Sequence, residues 1–367
     1  MRAIRGPLPA PERAAADLRS AMEDWDAERA ERAVASLARH RSAADVFEML
    51  WSYGARDYRN IGHKAIFVAN ACRTLQAIGW QHAEPVLRSL ALGLLDFGKQ
   101  QQLSGYGFDD QCYAGNVQRV KETFSRLNTE WAAMEGEQQA ARGILGAIRG
   151  SAPSEACADV AGRLVKGGAD AGAGWDTVHL AAAELIMRAR AGSLFTAVHA
   201  VTSANALHYA YLAASDPQLR YLLLLQAVGW MGQFQKLAGM SQEGLRPFVI
   251  TEMERKEASA EPDRALAETF AGIPANRDSS GSRVFSLAGD LSARQAFLAE
   301  AVRLTLTKAD EVHHYKYLAA LIEDVPLVSA HWQPHVLAAT VYYLKGPGDP
   351  ESAPMKRARE ALRALAL

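Results

Sequence analysis

Apolar residues recur every three or four positions along most of this chain, a spacing that is typical of α-helices. Alanine and leucine supply many of these positions. Hydrophobic residues make up 49% of the 367 residues, which is enough to build a large core. No Pro-, Gly- or Ser-rich stretch is long enough to require a linker between domains. We therefore predict an all-α fold in which residues 1–367 form a multi-helix single domain with irregular loops.

Glycine and charge indicate where several of these helices lie. Residues 1–40 are rich in Ala, Arg and Glu, which predicts a peripheral, exposed and weakly packed N-terminal helix. A helix over residues 57–78 is expected to end at Gly79, and a second helix then covers residues 83–95. Two polar segments are candidate mobile loops, the first of them because its glycines do not hold a helix together. These loops are residues 98–116 and residues 272–284.

Charge, cysteine content and hydropathy exclude several classes of protein. With 40 basic and 41 acidic residues, the chain lacks the clustered positive charge that nucleic acid requires. Its three cysteines, Cys72, Cys112 and Cys157, form no CxxC pair, so thiolate zinc and iron–sulfur sites lack support. The N-terminus has no apolar signal core. The most apolar run, which begins at Tyr221, is interrupted by Gln226 and is too short to cross a bilayer. We expect a soluble, cytoplasmic protein with neither nucleic-acid nor membrane partners.

Five histidines and a lysine lie inside apolar, helix-forming stretches, and they carry the chemistry of this sequence. A single core histidine usually forms only a hydrogen bond, but four helices that each supply one are harder to explain by packing. Neutral imidazole is a common metal ligand. We therefore predict a buried, histidine-rich metal site. Its candidate residues are His63 in RNIGHKAIFVANA, His179 in WDTVHLAAAELIM, His199 in SLFTAVHAVTSANA, and His313, His314 and Lys316 in DEVHHYKYLAAL.

The surroundings of these histidines rank them differently. His179 is followed by small residues, which leave room for a metal or a substrate. Thr202 lies at helical spacing from His199, where a hydroxyl could orient the ring, as metal-bound histidines require. Taken by itself, His63 is more typical of a histidine that stands at the start of a helix and forms a hydrogen bond to a neighbouring residue. His82 and His208 are weaker candidates, because one is near a turn and the other is off the face of His199.

The segment DEVHHYK allows more than one interpretation. His313 and Lys316 are three residues apart and share a helix face, which favours His313 over His314. Glu311 and His314 form an ExxH pair, but di-iron bundles need two such pairs and no second one is present. A buried lysine beside a metal makes sense when it is carboxylated by carbon dioxide. From spacing alone, an ion pair with an acidic neighbour such as Asp310 or Glu311 is the more common role for Lys316.

These motifs, in this order, resemble the questin oxidase-like family. The similar segments are GHKAIFVANACRTLQAIG, VHLAAAELI, HAVTSANAL and the late His313-His-Tyr-Lys316 sequence. The resemblance implies one Fe(II) per chain, held by four histidines and a carboxylated lysine. The chain departs from the family pattern in its first helix, where only His63 stands in place of several histidines. Carried over by position, the implied ligands are His63, His179, His199, His313 and Lys316.

The resemblance also implies an activity. Members of the family are monooxygenases and dioxygenases of polycyclic aromatic ketones, so we expect a small aromatic ketone or phenol and dioxygen as substrates. Because the chain has no nucleotide or flavin motif, electrons would come from the substrate or from a separate electron donor. Tyr315 and Tyr209 are candidate catalytic proton donors. Two alternatives stay open: a helical di-iron oxidoreductase that uses Glu84, Glu184 and Glu311, and a non-catalytic helical binding or scaffold protein.

Overall fold

The computed structural model describes residues 3–58, 60–96, 111–256 and 261–365. Within these ranges all regular secondary structure is helical, which confirms the predicted all-α fold. In chain order the α-helices are α1 (Ala14–Asp24), α2 (Ala27–His40), α3 (Ala43–Arg56), α4 (His63–Ile78), α5 (Ala83–Leu94), α6 (Gln111–Thr123), α7 (Gln138–Gly150), α8 (Pro153–Lys166), α9 (Ala171–Arg188), α10 (Ala191–Ala213), α11 (Pro217–Gly239), α12 (Pro262–Ala271), α13 (Arg277–Leu287), α14 (Leu291–Lys308), α15 (Val312–Asp324), α16 (Gln333–Ala338) and α17 (Ala353–Ala364).

The contacts divide the chain into two compact units, each built from three separate segments. The first unit comprises Met1–Thr129, Gly150–Gly167 and Ala206–Gln233, and the second comprises Glu130–Arg149, Gly168–Asn205 and Phe234–Leu367. Two of the boundaries fall inside α10 and α11, so each of these helices contributes residues to both units. The prediction of a single domain over residues 1–367 stays a prediction.

In the first unit, the N-terminal region packs more closely than its charge suggested. The described part of this region, residues 3–40, contains two helices, α1 and α2, which are joined at Trp25 in a left-handed conformation with φ 58°. Helix α2 packs against α1 and α5 and buries Ala33, Val34 and Leu37. The prediction of one exposed, weakly packed helix is therefore wrong. Alanine side chains are small enough to let neighbouring helices approach, and one buried face is compatible with a charged opposite face.

A glycine lies at each end of α4, and the sequence predicted the one at the C-terminal end. The helix ends before Gly79, whose φ of 95° an L side chain rarely adopts. Its first residue is His63, six residues later than expected, because Gly62 with φ 80° forms the turn that precedes it. Helix α5 covers Ala83–Leu94, which confirms the second predicted helix to within one residue.

The described parts of the two candidate mobile loops are largely helical. Residues 98–110 lie outside the described residues, and residues 111–116 form the first turns of α6 rather than a loop. Most of residues 272–284 is also helical, because α13 begins at Arg277. The Asn276 side chain accepts a hydrogen bond from the Ser279 amide at 2.9 Å and so caps this helix. The buried side chain of Val284 then anchors it.

In the second unit, α9 is surrounded by protein. All of its residues from Ala171 to Met187 are buried, and α16 packs against it. Helix α13 packs on α16, and α14 packs on α15. None of the helices in the described part of the chain is long and apolar enough to cross a membrane.

Candidate metal centre

His63 opens α4 directly after a strained turn. Asn60, Ile61 and Gly62 all have positive φ values, of 59°, 53° and 80°. This conformation is unfavourable for a β-branched residue such as Ile61, and such strain costs about 1–3 kcal/mol and clusters at functional sites. The turn brings the backbone carbonyl of Asn60 to 2.6 Å from Nδ1 of His63. The local backbone therefore fixes the orientation of this imidazole.

His199 lies in the first half of α10 and is 1% exposed. Its Nδ1 is 2.7 Å from the backbone carbonyl of Phe195, one turn earlier in the same helix. The hydroxyl of Thr202, which was expected to orient this ring, donates instead to the backbone carbonyl of Val198 at 3.2 Å. The orientation of His199 is thus set by its own helix backbone.

His313 is the second residue of α15, and Glu311 caps that helix. One carboxylate oxygen of Glu311 accepts hydrogen bonds from the His313 amide at 3.0 Å and from its ring Nδ1 at 2.6 Å. The other oxygen accepts the Tyr343 hydroxyl at 2.8 Å. Partial burial would raise the pKa of Glu311, but these hydrogen bonds outweigh burial and lower the pKa to about 2. A permanently charged carboxylate therefore faces Nδ1 of His313.

The three histidines share one hydrogen-bonding arrangement. Backbone carbonyls and a carboxylate can only accept hydrogen bonds, so Nδ1 must be the donor in His63, His199 and His313. In a neutral ring the lone pair then lies on Nε2. Metal-bound histidines have this arrangement, with the non-ligating nitrogen bonded to a carbonyl or a carboxylate.

His63, His199 and His313 also form a group. One ring nitrogen from each lies within 4.8 Å of those of the other two. Nitrogens bound to one tetrahedral ion at about 2.1 Å lie about 3.4 Å apart, so the ring nitrogens would have to approach one another by up to about 1.4 Å to bind a metal. The donor set fits a metal ion that accepts three neutral nitrogen ligands. Three protein ligands also leave a coordination position for water or substrate, as in catalytic sites.

An exposed aromatic ring lies beside two of these ligands. The rings of His199 and His313 are 4.9 Å apart, centroid to centroid. The ring of Phe195 lies 4.3 Å from His199 and 5.0 Å from His313, yet 52% of Phe195 is exposed. The side chain of His313 is itself 16% exposed. This part of the site is therefore reachable from solvent and has an apolar border.

His179, a further predicted ligand, has different surroundings. It lies in the buried helix α9, where Nδ1 is 3.4 Å from a carboxylate oxygen of Asp324. Burial lowers the pKa of His179 to about 3, so the ring is neutral. The Asn205 amide donates to the other oxygen of Asp324 at 2.8 Å. His179 is not part of the three-histidine group.

The remaining predicted site residues lie in three settings. Lys316 is half-buried, one turn after His313 in α15. Asp310, which was considered as its partner, instead forms an ion pair with Lys345 at 3.0 Å. Tyr315 is 38% exposed. The Tyr209 hydroxyl donates to the Gln76 side chain at 3.0 Å, and burial raises the pKa of Tyr209 to about 12. Carboxylation of Lys316 and catalytic roles for the two tyrosines stay predictions.

Sequence reasoning overlooked Lys64, a fully buried lysine next to His63. Its ammonium donates to a carboxylate oxygen of Asp57 at 3.0 Å and to the backbone carbonyl of Asp96 at 3.0 Å. Removing one partner of such a buried pair is strongly destabilising, by about 3–5 kcal/mol. The signal was present, because Lys64 is the one charged residue at the start of an otherwise apolar run. It fixes the first turn of α4, where His63 also lies.

The glutamates proposed for a di-iron site form ion pairs and hydrogen bonds with other residues. Glu84 forms an ion pair with Arg39 at 2.8 Å. Glu184 is buried and bonds to Arg149 and to the Ile250 amide. Within the described residues, the group of side chains that could hold a metal contains histidine alone. The di-iron alternative stays a prediction.

Comparisons with known proteins give no relative. No protein-family model, curated protein or solved structure matches the chain significantly. The resemblance to the questin oxidase-like family therefore rests on its short motifs. The functional argument rests on the geometry of the three histidines.

Proposed function

We propose that this protein is a mononuclear, non-haem iron oxygenase whose iron is bound by Nε2 of His63, His199 and His313. One observation carries this proposal. All three rings have Nδ1 bonded to an oxygen that can only accept a hydrogen bond, so in each neutral ring of the group the lone pair lies on Nε2. His179 and Lys316 stay candidates for further ligands.

The choice of iron and of an aromatic substrate has separate support. Neutral imidazoles suit several transition metals, including iron and zinc, so iron is favoured by the resemblance of the sequence motifs. When bound, iron would supply the redox chemistry that dioxygen activation needs. Phe195 offers an exposed aromatic face against His199 and His313, where an aromatic ketone or phenol can stack. Glu311 would keep the proton on Nδ1 of His313 during turnover.

Metal analysis of untagged protein tests the proposal. After anaerobic loading with ferrous iron and removal of excess metal, we expect about one iron per chain. The loaded protein should then consume dioxygen when an anthraquinone-type phenol is added. His63→Ala should abolish both iron retention and dioxygen uptake.

A matched control is available on another helix. His40 in α2 also has Nδ1 bonded to a backbone carbonyl, that of Ser36 at 2.8 Å, but it is not part of the group. His40→Ala should retain iron and activity. Two irons per chain would instead support the di-iron alternative. Zinc bound in preference to iron would contradict the oxygenase, and protein that binds no metal would favour a scaffold.

A further inference from the structure

The first unit contains a cavity of about 440 Å³ that the proposed function does not use. Residues of α1, α3, α6 and the first turns of α11 line it. Its floor is apolar, because Val120, Leu219 and Leu222 are at most 8% exposed and face it. The volume lies in the range of roughly 300–1,000 Å³ that small-molecule sites occupy.

Two cations and two acids line the same cavity, but only the acids form hydrogen bonds within the described structure. Glu48 accepts hydrogen bonds from the Ser215 amide at 3.0 Å and the Asp216 amide at 2.8 Å. Asp216 in turn accepts the amide of Gln218 at 2.8 Å. These carboxylates therefore cap the start of α11, and their charge is partly compensated by backbone N–H groups.

Arg19 and Lys121 differ from the acids. Both are exposed at the rim of the cavity, on α1 and α6 respectively. Within the part of the chain that the structure describes, neither side chain forms a hydrogen bond or an ion pair. Arg88 of the same unit, in contrast, forms an ion pair with Glu31 at 2.7 Å. Two unpaired cations from different helices above an apolar floor make a site with one hydrophobic and one positive part.

We infer that this cavity binds an amphipathic anion, a small molecule with one carboxylate or phosphate head and an apolar tail. The head would contact Arg19 and Lys121, since charge-assisted hydrogen bonds to such anions are the strong ones. The tail would lie on Val120, Leu219 and Leu222 and lose its exposure to water. The site is independent of the three-histidine group and needs no metal.

Calorimetric titration of the full chain with probes of matched tail length tests this inference. The probes are decanoate, decyl phosphate and 1-decanol, each below the concentration at which it aggregates, together with acetate and inorganic phosphate. We expect one binding site for at least one of the two decyl anions. Decanol, acetate and inorganic phosphate should bind at least about tenfold more weakly, because each lacks the head or the tail. The ratio of decanoate to decyl phosphate affinity identifies which head the site prefers.

The variant Arg19→Gln with Lys121→Gln should weaken binding of the preferred anion by at least about tenfold. The control Arg126→Gln with Lys166→Gln makes the same change of charge at exposed positions of this unit that do not line the cavity, and it should leave the affinity unchanged. The inference is overturned if neither decyl anion binds, if decanol binds as tightly as the anions, or if both double variants lose the same affinity.

Discussion

Two histidine sites in the second unit look alike in the sequence and differ in the structure. Each pairs a histidine Nδ1 with a carboxylate. At His313 the Nδ1 to Glu311 distance is 2.6 Å, and the ring lies 4.9 Å from that of His199. At His179 the distance to Asp324 is 3.4 Å, and the ring is not part of the three-histidine group. The second site is also more deeply buried, at 3% side-chain exposure against 16%.

The difference separates burial, which disfavours a charged ring, from a hydrogen bond that fixes which ring nitrogen carries the proton. Burial alone keeps His179 neutral, because a charged ring in α9 would lose its hydration. His313 lies nearer the solvent, and a close carboxylate fixes which of its nitrogens carries the proton. Only the second arrangement leaves an accessible, oriented Nε2 next to other histidines. Depth of burial therefore does not distinguish the members of the three-histidine group, since His199 inside it is 1% exposed and His179 outside it is 3% exposed.

The largest expected effect is on metal affinity. His199→Ala should weaken ferrous iron or zinc binding by more than about 100-fold, because loss of even an outer partner of a ligand costs about 10–100-fold. His179→Ala should change the same affinity by less than about tenfold, since His179 is outside the group. Competition with a chelator under anaerobic conditions measures both values. Equal losses in the two variants would make His179 a fourth ligand and remove the distinction.

The second prediction concerns acid stability. The pKa of His179 is about 3 in the folded protein, against an ordinary value of 6.5. Between these values the unfolded chain binds a proton that the folded chain does not. The stability from the neutral ring is therefore present above pH 6.5 and is lost as the pH falls towards 3. Between pH 7 and pH 5 this loss is about 2 kcal/mol.

Replacing the His179 ring tests both the direction and the magnitude of this loss of stability. The free energy of unfolding, measured in urea, should fall between pH 7 and pH 5 by about 2 kcal/mol less for His179→Gln than for the unsubstituted protein. Folding at each pH is checked by circular dichroism. Parallel pH profiles for the two proteins would show that His179 is protonated in the folded state, against the burial argument.

Much of the fold was predictable because local signals and packing agree. Apolar spacing gave the all-α class, and Gly79 marks the end of α4 because few other residues adopt its φ of 95°. The errors arise where tertiary contacts determine whether a segment is buried or helical. Ala33 and its neighbours in α2 are buried by α1 and α5, which composition alone does not reveal. The polar segment at α13 is helical because Asn276 caps it and Val284 is buried.

The candidate site was predictable to the level of residue type, but not of role. His63, His199 and His313 were singled out because each lies in an apolar run. His179 has the same sequence signature, and only the three-dimensional grouping separates it from them. The role of Glu311 depends on the extended backbone at the start of α15, where φ is −151° and ψ is 165°. This conformation folds the carboxylate back onto His313, and no spacing rule encodes it.

The smallest predicted effect tests the two carboxylates against each other. Glu311→Gln keeps an oxygen that can accept the Nδ1 proton of His313 but removes the negative charge, so metal affinity should fall by about tenfold. Asp324→Asn makes the same change beside His179 and should leave metal affinity unaltered. The same chelator competition measures both variants, with circular dichroism to confirm that each is folded. If Asp324→Asn weakened the metal as much as Glu311→Gln, a carboxylate close to Nδ1 would no longer distinguish a metal ligand from a buried structural histidine. If only Glu311→Gln did so, the 2.6 Å contact at His313 would be part of the metal centre.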